Sequence, residues 1–337
     1  MTETILLPYS EIESALYQIL LQHGLSDTRA KMLAEVFTSN TLDGVYSHGV
    51  NRFTKFIQYL KLGYIKADAS PVCKNKMGSM EQWDGQSGPG PINAIASVDR
   101  AMELARQYGM GCVSLSNTNH WLRGGTYGWQ AAKAGFVYIA WSNTIANMPA
   151  WGATDPKLGN NPLIIAVPHE GEAIVLDMAL SQYSFGALEI KKQKKEMLPI
   201  PGGYDKKGNL TTDPAAIMES WRPLPIGYWK GAGLSLLLDV LATILSGGLS
   251  TSQISQQKFE TNLSQIFIAI DISKLYNYST IATAIQQIVD DYHASIPEKA
   301  GTKIRYPGEQ VLAVRKENSE KGIPVLRKTW EEVIGDR

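Results

Sequence analysis

The chain has 337 residues, of which 44% are hydrophobic and 19% charged, enough apolar material for a substantial core spread over two lobes. Lys plus Arg and Asp plus Glu both number 32, so the formal charge is zero. No bulk basic field exists for nucleic acid, and an anionic ligand must be attracted by local charge. The two cysteines, Cys73 and Cys112, each sit in a hydrophobic or strand-like stretch and read as reduced thiols rather than a disulfide or a metal site.

Met1 to Tyr9 lacks the positive flank and long apolar run of a signal peptide. The longest apolar stretch, Leu234 to Leu245, is interrupted by Ser235, Asp239 and Thr243, and reads as a buried helix too short to span a bilayer. The expectation is a cytoplasmic protein with neither membrane nor nucleic acid as a partner.

The first block, to about residue 70, is helical. Ser10 caps a run with Ile12, Leu16, Ile19 and Leu20 at helical spacing, and Gly24 stands at the C-terminal cap. Ser26 or Asp27 opens a second helix carrying Met32, Leu33, Val36 and Phe37 on its apolar face. Gly44 bends the chain before a third helix begins near Ser47. From about 71 to 290, β-rich runs (111–115, 136–141, 163–167, 174–178, 266–271) alternate with helices at 92–107 and 231–245, which predicts a sheet domain of α/β or α+β type. Residues 198–214, rich in Gly, Pro and Asp, form a long excursion. The final block, from about 300, is helical and folds back on the first.

Four places carry candidate chemistry. At 100° per residue on the third helix, Val50, Phe53, Phe56, Ile57 and Leu60 share one side, while His48, Asn51, Arg52 and Lys55 share the other. A solvated polar face is the simpler reading. Against it, His48 lies at the helix start, where the dipole and Arg52 disfavour the imidazolium, with Ser47 as a candidate N-cap. Arg52 could hold a carboxylate while His48 faces the adjacent oxygen as a general acid. The second place is Asn119-His120-Trp121-Leu122-Arg123-Gly124-Gly125 at a strand end, where ligands gather in such sheets. The third and fourth are the strand ends Ser142-Asn143-Thr144 and Gly159-Asn160-Asn161-Pro162, which read equally well as turns.

No complete G-x-G-x-x-G occurs. Gly88-Pro89-Gly90-Pro91 opens a helix, but no aliphatic strand precedes it and two prolines remove backbone donors, so a Rossmann domain is disfavoured. Gly227-Tyr228-Trp229-Lys230-Gly231, leading into the apolar helix, could hold a pyrophosphate or simply be a glycine-rich helix start. No His, Cys, Asp or Glu cluster has metal-ligand spacing.

These residues carry a resemblance. The stretches Gly44–Phe53, Glu81–Asp84, Asn119–Gly125, Tyr127–Ala132, Asn161–Ile164, Gly208–Thr211, Gly227–Gly231, Ser264–Ile270 and Pro307–Glu309 resemble, in order, those of the type-2 malate/L-lactate dehydrogenase family. Y-S-H-G-V-N-R, N-H-W and Y-W-K-G point to its diketogulonate-reducing branch. The resemblance implies a mixed α/β fold of the malate/L-lactate (sulfolactate) dehydrogenase-like type, not a Rossmann fold. Residues 1–75 plus about 300–337 would form a helical substrate and dimerisation lobe, and about 76–299 a nicotinamide-binding lobe.

It also implies an NADH-dependent reductase of a small keto acid in carbohydrate metabolism, working as a homodimer, with NADPH left open. His48 matches the family's proton donor. Ala173, Ile174, Val175, Leu176, Asp177, Met178 and Ala179, with Trp229, Lys230, Gly308 and Glu309, match its cofactor-binding stretches. His120 and Ser142 match positions lining nicotinamide and substrate. Ser47, Arg52, Asn143 and Thr144 are expected at the substrate. A malate, lactate or ureidoglycolate specificity, and a cofactor-free acid–base isomerase or lyase, remain as alternatives.

Overall fold

The computed structural model describes residues 3–335. In chain order the elements begin with strand β1 (Thr4–Leu7), helices α1 (Tyr9–Gln22) and α2 (Asp27–Leu42), a 3-10 turn at Tyr46–His48, and α3 (Val50–Lys61). Then come β2 (Val72–Met77), β3 (Met80–Asp84), α4 (Gly90–Tyr108), β4 (Met110–Thr118), α5 (Gly124–Lys133) and β5 (Phe136–Ser142). The short β6 (Met148–Pro149) and β7 (Pro156–Leu158) lead to the hairpin β8 (Leu163–His169) and β9 (Glu172–Met178). An excursion holds α6 (Phe185–Gln193), β10 (Gly203–Tyr204), β11 (Leu210–Thr211) and α7 (Pro214–Ser220). The chain closes with α8 (Trp229–Ser246), α9 (Thr251–Ile254), β12 (Leu263–Asp271), α10 (Tyr278–His293), α11 (Glu309–Lys321), β13 (Ile323–Leu326) and α12 (Arg327–Gly335).

The main sheet has seven strands in the order β2-β3-β4-β12-β5-β8-β9. Only β3 and β4 run parallel; every other pair is antiparallel. Strand periodicity sorts the side chains onto two faces. Val113, Leu115, Tyr138, Ala140, Ile164, Val175 and Phe267 pack with α4 and α5 on one face. Trp141, Leu163, Ile266 and Ile268 pack with α8 on the other. A separate core joins α1, α2 and α3 to β13 and α12, so the chain ends do meet.

Two helices approach the sheet differently. A Cβ on Gly124 would lie 2.4 Å from Ile164 Cδ1, and one on Gly128 3.1 Å from Ile164 Cγ2, so α5 lies flat on β8 and β9 because those positions are glycine. α8 touches the sheet along Ala232, Leu238 and Ala242, and the Trp141 indole donates to the Leu238 carbonyl at 3.1 Å. Its other side is not buried. Trp229, Leu236, Leu237, Val240, Leu241 and Ile244 are exposed, which corrects the expectation of a buried helix. The helix also extends to 18 residues, long and apolar enough to cross a membrane by length and composition.

Other elements escape the sequence pattern. β1 and β13 are four residues each and pair antiparallel, tying the two ends of the chain by a strand ladder as well as by helices. β3 precedes Gly88-Pro89-Gly90-Pro91, and β3–α4–β4 is a parallel crossover unit, so a strand does stand before that glycine-rich turn. The His120 loop packs directly on that turn, since a Cβ on Gly90 would meet the carbonyl oxygens of His120 at 2.2 Å and Asn119 at 2.4 Å. The helix start is closed by the His120 loop, and the sheet order is not that of a Rossmann fold.

Candidate active site

The turn carrying His48 is built by its neighbours on α2. Gly44 takes φ +79, and His48 N–H donates to the Val45 carbonyl at 3.0 Å. Asn40 Nδ2 holds the His48 carbonyl at 3.0 Å, and Thr41 Oγ1 accepts the Val50 N–H at 3.0 Å. A Cβ on Gly49 would lie 2.2 Å from Thr41 Oγ1, so only glycine lets this turn seat on α2. His48 therefore precedes the helix rather than riding its first turn, and the N-cap is Gly49, not Ser47. Ser47 does something else: its Oγ lies 2.9 Å from His48 Nδ1.

His120 follows β4. Asn119 Nδ2 staples the loop by donating to the carbonyls of Tyr64, Ser87 and Gly88 at 3.0–3.1 Å. Leu122 takes φ +68, a costly conformation for a branched residue, and its N–H donates to His120 Nδ1 at 3.0 Å. An N–H cannot accept, so the neutral His120 ring carries its proton on Nε2. The two imidazoles stack with centroids 5.7 Å apart and planes 22° apart.

Their surroundings hold both rings neutral. His48 is lowered to about 4, by loss of water first and then by the charges of Arg52 and Arg123. His120 lies well below its ordinary value, from desolvation and then Arg52, His48 and Lys55.

His48 and His120 share a cavity of about 350 Å³ with Val45, Ser47, Arg123, Thr144, Asn160 and Ser184. β9 supplies Val175 and Asp177, Ala179 follows directly after that strand, and the turn before α11 supplies Gly308. Alternation along β9 explains the choice: Val175 and Asp177 take the cavity side, whereas Ile174, Leu176 and Met178 point to the opposite face, and Ala173 is buried beneath α5. Asp177 accepts the Gly125 N–H at 2.8 Å and lies 3.7 Å from Arg123 Nε. Protein packed around its carboxyl raises it, against the pull of Arg123 and that N–H. Gly308, at φ +93, fits because a Cβ would come within 3.1 Å of the Val175 backbone.

Other expected residues fall elsewhere. Arg52 borders a small crevice with Lys55, Asn119 and His120, and lies 3.6 Å from Glu260. Asn143 does not line this cavity, and its side chain is engaged by Asp239, the Leu249 carbonyl and the Ser264 N–H, at 2.7–3.0 Å. Ser142 is buried, its hydroxyl on the Asn143 carbonyl at 2.9 Å. Trp229 and Lys230 form the exposed first turn of α8, outside the cavity wall. Glu309 accepts the Tyr306 N–H at 3.1 Å and meets His293 Nε2 at 3.0 Å. The sequence names Arg123 only as part of the His120 stretch, with no role of its own, and gives no sign of Asp43, to which it is joined at 2.5 Å. The signal was a charged residue three places after His120 in the same loop, but its partner lies 80 residues away.

Paired histidines beside the end of β4, in a mixed sheet whose strand order is not that of a Rossmann fold, set the class of architecture to be matched. The sequence model of the malate/L-lactate dehydrogenase family matches residues 7–334, and the chain belongs to that family. It is 43% identical to 2,3-diketo-L-gulonate reductase of Klebsiella pneumoniae, over 96% of this chain and 98% of that one. Sulfolactate dehydrogenase of Methanocaldococcus jannaschii superposes with a TM-score of 0.88 at 26% identity, covering 98% of this chain and 95% of the other. Malate dehydrogenase of Entamoeba histolytica, at 24% identity, shares the fold with a TM-score of 0.93, over 99% and 97% of the two chains. The protein is an oxidoreductase.

Proposed function

We propose that the chain reduces a small α-keto acid, 2,3-diketo-L-gulonate to 3-keto-L-gulonate, with a nicotinamide cofactor and His48 as proton donor. The observation that carries this reading is the pairing of His48 with His120 in one cavity walled by β9 and Gly308. Apolar walls at Val175, Pro162 and Val311, with Asp177, Asn160 and Thr144 among them, suit a flat ring with a polar rim and ribose hydroxyls. Bound there, reduced nicotinamide supplies the hydride to C2.

The chain's own residues do the rest. His48, in its imidazolium form, gives its proton to the developing alkoxide and returns to the neutral ring that the free site holds. His120, kept neutral, donates from Nε2 to the same oxygen or its neighbour, and Thr144 and Asn160 bound the substrate pocket. Arg52 adjoins His120 and is the candidate anchor for the carboxylate. In this reading the sheet is the cofactor lobe and the two chain ends form the substrate lobe. A second copy of the chain covers the outer face of α8, where Leu236, Leu237, Val240, Leu241 and Ile244 are exposed. Homodimerisation is read by sedimentation, and Leu237→Lys should yield monomer.

The test follows NADH and NADPH oxidation with 2,3-diketogulonate, pyruvate and oxaloacetate side by side. Turnover highest with diketogulonate supports the specific reading. Faster turnover with oxaloacetate or pyruvate assigns a sister specificity, and no oxidation with any of them sinks the reductase.

A further inference from the structure

Asp43 is an ill-placed acid. It follows the last residue of α2, at the negative end of the helix dipole, and only 7% of it is exposed. A carboxylate there needs cations, and two guanidinium groups supply them. Arg123 Nη1 lies at 2.5 Å, and Arg315 grips both oxygens, Nε at 2.7 Å and Nη2 at 3.0 Å.

Each partner belongs to a segment that supplies a different wall of the cavity. Asp43 leads directly into the turn with Val45, Ser47 and His48. Arg123 ends the His120 loop and is the N-cap of α5. Arg315 belongs to α11, which springs from Gly308, and Pro307 extends the ladder by accepting the Val175 N–H at 3.0 Å. α11 is held to the end of α2 at two further points. Asn318 Nδ2 donates to the Leu42 carbonyl at 2.7 Å, and Val314 leaves only 2.8 Å for a Cβ on Gly44.

We propose that Asp43 is a positioning residue that locks the His48 turn, the His120 loop and the Gly308 turn together and sets the charge that Arg123 presents to His48. The charged groups around His48 are few. Arg52 on α3 lies toward Glu260, the neutral His120 stacks on it, and Arg123 is balanced by Asp43 and, at 3.7 Å, by Asp177. Arg315 in turn lies 3.9 Å from Glu172. Removing the Asp43 charge leaves Arg123 under-neutralised beside His48. Removing Arg315 gives Arg123 a fuller share of Asp43.

The two changes therefore push His48 in opposite directions, which mere loosening of the fold would not do. This rests on His48 being the proton donor only for its kinetic consequence, so the primary measurement is independent of turnover. The ring of His48 is titrated by NMR in histidine-labelled protein, with His48→Gln to assign the signal. Asp43→Asn should lower the titration midpoint and Arg315→Met raise it, each by about half a pH unit to one unit. Asp43→Glu should keep it near wild type. Turnover of Asp43→Asn should fall about 10- to 100-fold, as misplacement of reacting groups does, with partial rescue in Asp43→Glu.

Folded variants whose midpoint stays put, or moves the same way in both, overturn the proposal. If Asp43→Asn does not fold, Arg315→Met decides alone: an upward shift supports it and no shift overturns it. Shifted midpoints with no detectable turnover in wild type would sink the reductase reading and leave the positioning role standing.

Discussion

The two histidines of the cavity begin alike and end differently. Both rings are held neutral by loss of water and nearby cations, and they stack on each other. At Nδ1, however, His48 meets a hydroxyl and His120 a backbone N–H. A serine hydroxyl can donate to a neutral ring and, by rotating, accept from an imidazolium. An amide N–H can only donate, so protonating His120 at Nδ1 would set two hydrogens against each other. One ring can cycle its proton without losing its partner, and the other cannot. The neighbour at Nδ1, more than the depressed basicity the rings share, separates an acid from a fixed donor.

The sharpest break of that comparison is His48→Ala. With the proposed proton donor removed, turnover should fall about 10²–10⁴-fold, the usual contribution of a positioned acid. Steady-state assay with saturating NADH reads it. A few-fold loss, with the whole effect in KM, would transfer the acid role to His120. His120→Ala should cost less, about 10-fold to 10²-fold, and His120→Gln should recover part of it by restoring an N–H donor. An imidazolium role for His120 predicts no recovery in the glutamine variant.

The pH dependence sharpens the same contrast. In free enzyme His48 titrates at about 4, so kcat/KM for reduction should already be declining as pH rises above that value. A bound carboxylate offsets the Arg52 charge that helps to lower His48, so the fall in kcat should occur at higher pH than the fall in kcat/KM. Coincident falls would mean that the substrate's charge does not reach His48. The sign for stability runs the other way. His48 is depressed from 6.5 to about 4, so folding loses stability as pH drops through that interval and is level below it.

Much of this site was legible in the sequence, because its parts are local. His48 between two glycines, and His120 in an amide-rich strand end, stand out from their neighbours. What could not be read was the backbone that aims them. A left-handed Leu122 leaves no trace in residue type, and the placement of His48 in a 3-10 turn depends on Thr41 and Asn40 from the preceding helix. The same holds for the fold. Strand 163–167 announces itself by its β-branched run Ile164, Ile165 and Val167, and 111–115 by the alternation of Val113 and Leu115 with smaller residues. Met80–Asp84 (M-E-Q-W-D) does not, since Glu81 is buried against Arg100 at 2.7 Å and so breaks the expected pattern. α8 misled because apolar composition signals burial without saying whether the cover is the same chain or another.

The smallest effect probes the Ser47 contact itself. In Ser47→Ala the neutral His48 ring loses a donor to Nδ1, and the imidazolium loses its only side-chain acceptor there. A hydrogen bond to a charged group contributes more than one to a neutral group, so the charged state suffers more. His48 should therefore titrate lower still, and turnover at neutral pH should fall by about 3- to 10-fold, since roughly 1 kcal/mol separates the two losses. Ser47→Thr, which keeps the hydroxyl, should stay closer to wild type, although the added methyl must fit beside Gly186, where a Cβ would lie 3.0 Å from Ser47 Cβ. The pH profile separates this from loss of packing. If Ser47→Ala lowers turnover by the same factor at every pH, the hydroxyl only fills space, and the distinction between the two histidines has to rest on Leu122 alone.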